Sequence, residues 1–147
     1  KYSNYVYKKS GTDKFLEMRN ISTGLKTFVI LKTLLLNGAL QENGTIILDE
    51  PEIHLHPEWQ LIFAELIVLL QKEFGMHILL NTHSPYFLNA IEVYSAKYKI
   101  ADRCKYYIAD LEGDVSTIKD VTDSVEKIYR KLARPLQDLE NVRYDHD

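Results

Sequence analysis

The chain has 147 residues, 46% of them hydrophobic and 27% charged, with a formal net charge of −3; this supplies one compact core, argues against two domains, and excludes a globally basic nucleic-acid footprint. The single cysteine, Cys104, excludes an internal disulfide and a thiolate zinc cluster, and fits a reducing, cytoplasmic setting. The longest apolar run, residues 61–70, contains Glu65 and falls short of the ~18 residues of a membrane span, and no signal peptide is visible, so no membrane partner is expected.

Residues 1–20 carry two β-prone arms around "SGTD" and read as a hairpin. The alternating Tyr2, Tyr5 and Tyr7 could stack on bases, but strand-face packing explains them as well. In "ISTGLKTFVILKTLLLNGAL" the residues Leu25, Phe28, Val29, Lys32 and Leu36 fall near helical spacing, with Ser22 or Thr23 as N-cap and Gly38 as the stop. Gly24 then sits at a helix start. "TIILD", residues 45–49, is an apolar strand suited to burial on both faces. Pro57 opens the strongest helix, in which Trp59, Ile62, Phe63, Leu66, Ile67 and Leu70 keep helical spacing up to a stop at Gly75. "HILLNTH" is a second buried strand, and Ser84 with Pro85 starts a second helix through "SPYFLNAIEVYSAKY". Beyond residue 100, a hairpin turns at "EGD", and residues 123–142 form a surface helix interrupted near Pro135.

Strand, helix, strand, helix in this order predicts an α/β fold with parallel strands joined by crossovers. Sites in such sheets lie at the carboxyl ends of the strands. The first strand delivers Asp49 and Glu50 to that edge, and the second delivers Thr82 and His83. A strand that ends in adjacent carboxylates offers a hard oxygen ligand beside a general base, as Mg²⁺-nucleotide hydrolysis requires. Alternation should send the two side chains different ways. His83 could donate to a phosphate oxygen or to an attacking water. The helix start at Ser22, Thr23, Gly24 and Lys26 offers hydroxyls, open backbone N–H groups and an ammonium to an anion. Each feature has a bland counterpart: strand ends reaching water, a histidine bonded to backbone, an ordinary N-cap. Taken together, the acid pair and the imidazole on neighbouring strands favour chemistry.

With those residues in place, a family resemblance can be stated. "ISTGLK", "TIILDEPEIHLHPEW" and "ILLNTHSPYFL" resemble, in order, the signature motif, the Walker B strand with its D-loop, and the H-loop of ABC-type ATPases. The "DEPEIHLHP" form is similar to OLD-family ATPases and to the AAA-type ATPase subunits of Septu and retron anti-phage systems. The resemblance spans residues 21–88. It implies the C-terminal part of a P-loop NTPase: a parallel sheet flanked by helices, with β-hairpins at the periphery. The whole chain, 1–147, would be one partial ATPase domain, with a hairpin over 1–20, the motif-bearing core over 21–94, and a hairpin and helix over 95–147.

The resemblance further implies ATP and Mg²⁺ as cofactors, with Asp49 on the metal, Glu50 as the base that polarises water, and His83 as the switch that senses the γ-phosphate. Ser22, Thr23, Gly24 and Lys26 would face the nucleotide of a second copy, and His54 and His56 would lie where the D-loop crosses the dimer interface. The implied partners are a homodimer mate and a separate nuclease or effector, with nucleic acid reached only indirectly. The chain departs from the family pattern at Thr23, Leu25 and His56. None of its glycines is followed by lysine, so the phosphate-cradling Walker A loop is expected either upstream of Lys1 or to be absent, and this piece alone should be inactive.

Two rivals stand beside this reading. His54 and His56 with Glu52, Glu58 and His83 could form a zinc or manganese hydrolase site, though their spacing matches no common pattern. Alternatively, the chain is a nonenzymatic dimerisation or docking module. "IADLEGD" is acidic but wrongly arranged for a fused nuclease.

Overall fold

The computed structural model describes residues 6–8, 15–17 and 22–144. The turn expected across "SGTD" and the base-stacking reading of Tyr2, Tyr5 and Tyr7 fall outside these residues. Two short strands, β1 (Val6–Lys8) and β2 (Phe15–Glu17), pair antiparallel. The helix α1 (Thr23–Leu36) follows. Next come β3 (Thr45–Asp49), α2 (Pro57–Phe74), β4 (His77–Asn81) and α3 (Pro85–Lys97). The strands β5 (Tyr107–Glu112) and β6 (Val115–Asp120) form an antiparallel hairpin, and α4 (Glu126–Tyr144) ends the described chain. No helix among the described residues is long and apolar enough to cross a membrane.

The centre of the molecule is the β3–α2–β4 unit. The strands β3 and β4 run parallel in register from Thr45 opposite His77 to Asp49 opposite Asn81. The helix between them has clear start and stop chemistry. Pro57 occupies its first turn, where a missing N–H costs nothing, and Gly75 closes it in the left-handed conformation at φ 63°. Ser84 caps α3 by accepting a hydrogen bond from the Phe87 N–H at 3.2 Å, with Pro85 again at the start. Phe63 of α2 stacks on Phe87 of α3 with ring centroids 6.1 Å apart, and Phe28 of α1 meets Phe63 edge-on at 5.2 Å. Phe63 and Phe87 are fully buried, each contributing roughly 1.5–3 kcal/mol from burial. Leu31, Leu55, Ile67, Leu70 and Met76 complete this core.

Four expectations need correction. The core face of α1 consists of Gly24, Phe28, Leu31 and Leu35, whereas Leu25 and Leu36 are exposed. The stretch "TFVILKTLLL" is apolar on nearly every side, so spacing alone could not choose the face. Trp59 and Ile62 of α2 are likewise exposed, although Trp59 meets Phe28 edge-on at 5.5 Å. Nor are the central strands covered on both faces. Both alternate, with Ile46, Leu48, Ile78 and Leu80 on the core, while Ile47 is 69% and Leu79 63% exposed on the other face. Finally, α4 runs unbroken through Pro135. The bond this proline cannot make lies on an exposed helix, where water can take the freed carbonyl. An apolar cleft of about 950 Å³ separates β4 from the β5–β6 hairpin, lined by Leu79, Ile91, Ile100, Tyr106, Ile118 and Ile128 among others.

Candidate functional site

The parallel register carries two sequence-distant loops to one edge. Asp49 ends β3 directly opposite Asn81, which ends β4 and donates from its amide nitrogen to Asp49 Oδ1 at 2.8 Å. The ladder then reaches one residue beyond the strands, because the Glu50 N–H donates to the Asn81 carbonyl at 3.0 Å. Glu50 itself turns out of the strand with φ at 43°. That left-handed conformation is uncommon for any residue with a side chain and is concentrated at functional sites. Simple strand alternation therefore does not set the direction of Glu50. Its Oε1 lies 3.2 Å from Nε2 of His83, which follows β4 by two residues. The imidazole is 74% exposed and the carboxylate 34%, so the pair faces outward, open to a ligand.

The loop between Glu50 and α2 is compact. The Ile53 N–H donates to the Glu50 carbonyl at 3.2 Å, and the Leu55 N–H to the Glu52 carbonyl at 2.8 Å. Leu55 is buried, while His54 and His56 are exposed, and His56 stands at the N-cap of α2 without a side-chain capping bond. The start of α1 rests on this loop. A Cβ at Gly24 would lie 2.6 Å from the His54 carbonyl oxygen and 3.0 Å from Leu55 Cδ2, so no larger residue fits. Ser22 caps α1 by accepting from the Leu25 N–H at 3.4 Å, with Thr23 exposed beside it and Lys26 half-buried in the first turn.

The fold thus brings Asp49, Glu50 and His83 to one edge, and Gly24 into contact with His54. It does not assemble the rival metal set. Among the described residues, no group of three His, Cys, Asp or Glu side chains is placed to hold a metal ion, and Glu52 is turned inward. Two contributors were not singled out from sequence for the roles they play here: Asn81, which aligns Asp49, and Glu52, whose carboxylate accepts from the Thr82 hydroxyl. The third acid in "DEPE" was the only available signal for Glu52.

Residues 2–89 match the family described as "AAA domain, putative AbiEii toxin, Type IV TA system". A retron Vc95 probable ATPase of Vibrio cholerae serotype O1 biovar El Tor is 29% identical over 109 residues, which cover 67% of this chain and 20% of that protein. A retron Ec83 probable ATPase of Escherichia coli is 28% identical over 109 residues, 62% of this chain and 20% of that protein. An OLD nuclease of Thermus scotoductus is 41% identical over 44 residues, 30% of this chain and 8% of that protein. The chain therefore matches about a fifth or less of the length of these relatives. Its fold is similar to that of a chain solved in work on ATP-driven dimerisation and DNA-stimulated activation of SMC ATPases. The TM-score is 0.57 at 17% identity, covering 86% of this chain and 70% of that one. The fold class is accordingly the α/β arrangement of P-loop NTPases.

Proposed function

The chain belongs to this AAA-domain family, whose matched residues 2–89 are more than half of it, and from that premise we propose that it is the C-terminal part of an ABC-like ATPase that closes as a homodimer around ATP and gates a partner. In this reading Glu50 orients and polarises the attacking water, a base role worth about 10²–10⁴ in rate. His83 holds Glu50 on one side and reports the γ-phosphate on the other. Ser22, Thr23, Gly24 and Lys26 present a helix start to the phosphates held by the second copy. His54 and His56, exposed beside Gly24, line the same subunit boundary.

The donor set suits Mg²⁺. That ion needs one or two carboxylates and takes its remaining ligands from water and phosphate, and Asp49 is a single carboxylate at an open strand end, steadied by Asn81. When bound, Mg²⁺ neutralises charge on the phosphates. The likeness to retron ATPases and to an OLD nuclease supports a nuclease or other effector as the gated partner, with nucleic acid met through it.

One observation carries the proposal: an acid in a strained backbone conformation lies 3.2 Å from an imidazole at the matched ends of two parallel strands. The test is Glu50→Gln in the full-length ATPase. ATP binding should persist, turnover should fall at least about 100-fold, and the nucleotide-bound dimer should accumulate. Turnover at the unmodified rate would remove Glu50 from the mechanism.

A further inference from the structure

Glu52 is 3% exposed, and the only other buried polar side chain among the described residues is Ser95. Its Oε1 accepts from the Thr82 hydroxyl, while Oε2, fully enclosed, has no hydrogen-bond partner among the described residues. Stability alone does not account for such a group. Burying a carboxylate is costly, and an apolar residue of similar volume usually serves a core as well or better. The position of Glu52 suggests what the carboxylate does. It lies two residues after Glu50, and Thr82 lies one residue before His83, so the bond between them clamps the loop after β3 to the loop after β4 directly beneath the acid–imidazole pair.

The clamp belongs to a closed circuit. Thr82 Oγ1 also accepts from the Ser84 N–H at 3.0 Å. Ser84 Oγ donates to Gln60 Oε1 at 2.6 Å, and Gln60 Nε2 donates to the Leu55 carbonyl at 3.1 Å. Leu55 returns to Glu52 through the backbone bond already described, and the neighbouring His54 carbonyl bears Gly24 of α1. The circuit thus joins the loops after β3 and β4 and the first turns of α2, and the start of α1 rests on the first of these loops.

Resting on the ATPase reading above, we propose that Glu52 is a positioning residue: its bond to Thr82 sets the spacing of Glu50 against His83 and makes the start of α1 move with that pair. A misplacement of about 1 Å in such a pair can cost ~100-fold in rate. The test uses the full-length ATPase with Thr82→Val, Thr82→Ser, Glu52→Leu and the Glu52→Leu/Thr82→Val double variant. Thr82→Val and Glu52→Leu should each lower kcat about 10–100-fold with KM for ATP unchanged. The double variant should lose no more than Thr82→Val alone, which already removes the bond to Glu52 together with the one from the Ser84 N–H, and Thr82→Ser should restore turnover to within about 2-fold.

The ring resonances of ¹³C-labelled His83 give a readout independent of turnover. They should shift in Thr82→Val and Glu52→Leu and return in Thr82→Ser. Unmoved His83 resonances, or losses in kcat that multiply in the double variant, would overturn the positioning role. Glu50→Gln run in parallel keeps the two claims apart: if it still hydrolyses ATP, the base assignment fails whatever the clamp does. If it is dead while Thr82→Val is fully active, only the clamp fails.

Discussion

Glu50 shows how a single residue can oppose the stability of the fold it belongs to. At φ 43° it occupies backbone space that glycine enters freely and a side chain does not, at a cost of order 1–3 kcal/mol. Glu50→Gly should therefore give a more stable protein than Glu50→Ala, by about 1 kcal/mol in urea titration, reversing the usual penalty for glycine. Equal midpoints would mean that the conformation is not strained. Both variants should lack ATP turnover, so stability and activity separate at one position. Gly24 is the complementary case. Its glycine is required by the closeness of the His54 carbonyl and not by its own backbone angles. Neither property can be read from the string "LDEPE" or "STGLK", because one is a torsion and the other a contact made across some 30 residues.

The elements with chemical punctuation were legible and those without it were not. The helices α2 and α3 start at proline and, for α3, a capping serine, and α2 ends at a glycine, so both starts and the end of α2 follow from backbone chemistry alone. The hairpin of β5 and β6 turns where "EGD" places Gly113, at φ 64°. By contrast, the buried face of α1 depends on which neighbours arrive, and a helix apolar all round does not record that. The helix α4 also required tertiary information. It is seated by Tyr129, whose hydroxyl donates to Glu92 of α3, and by Lys131, whose ammonium donates to Asp110 Oδ1 of β5 at 3.1 Å. Burial, and then the bond to Glu92, push the Tyr129 hydroxyl up to about 12. A group raised in the folded state stabilises fully below its ordinary value near ~10 and loses that contribution as pH climbs through the folded one. The thermal midpoint should therefore fall between pH 10 and 12, and Tyr129→Phe should flatten part of that fall. An identical alkaline profile in the variant would detach Tyr129 from the seating of α4.

Across the whole molecule, the covered and bare sides of the central strands are unequal. Ile46, Leu48, Ile78 and Leu80 face the core, while Ile47 and Leu79 stand out on the other face, and the apolar cleft beside β4 adds to this surface. Contiguous apolar area of this kind is a site of association. The chain by itself should bind an apolar fluorescent dye and self-associate with rising concentration. Ile47→Thr and Leu79→Thr should weaken both effects while changing its unfolding free energy by less than about 0.5 kcal/mol. A large loss of stability in either variant would show that this face is packed after all. The α/β order was readable from the alternation of patterns. The bare face was not, because "TIILD" and "HILLN" are the same strings whether one side or both are covered.

The register of β3 on β4 also has a consequence in time. Asp49 and Asn81 meet across 32 positions of chain, with only α2 between the strands, so the unit closes a short loop bridged by local structure. Residues 22–84 include the start of α1, both strand ends, Glu52, Thr82 and His83. As a growing polypeptide leaves the ribosome, the acid and the imidazole can meet while β5, β6 and α4 are still unmade. The later segments then settle against α3, on a unit whose strand ends are already paired.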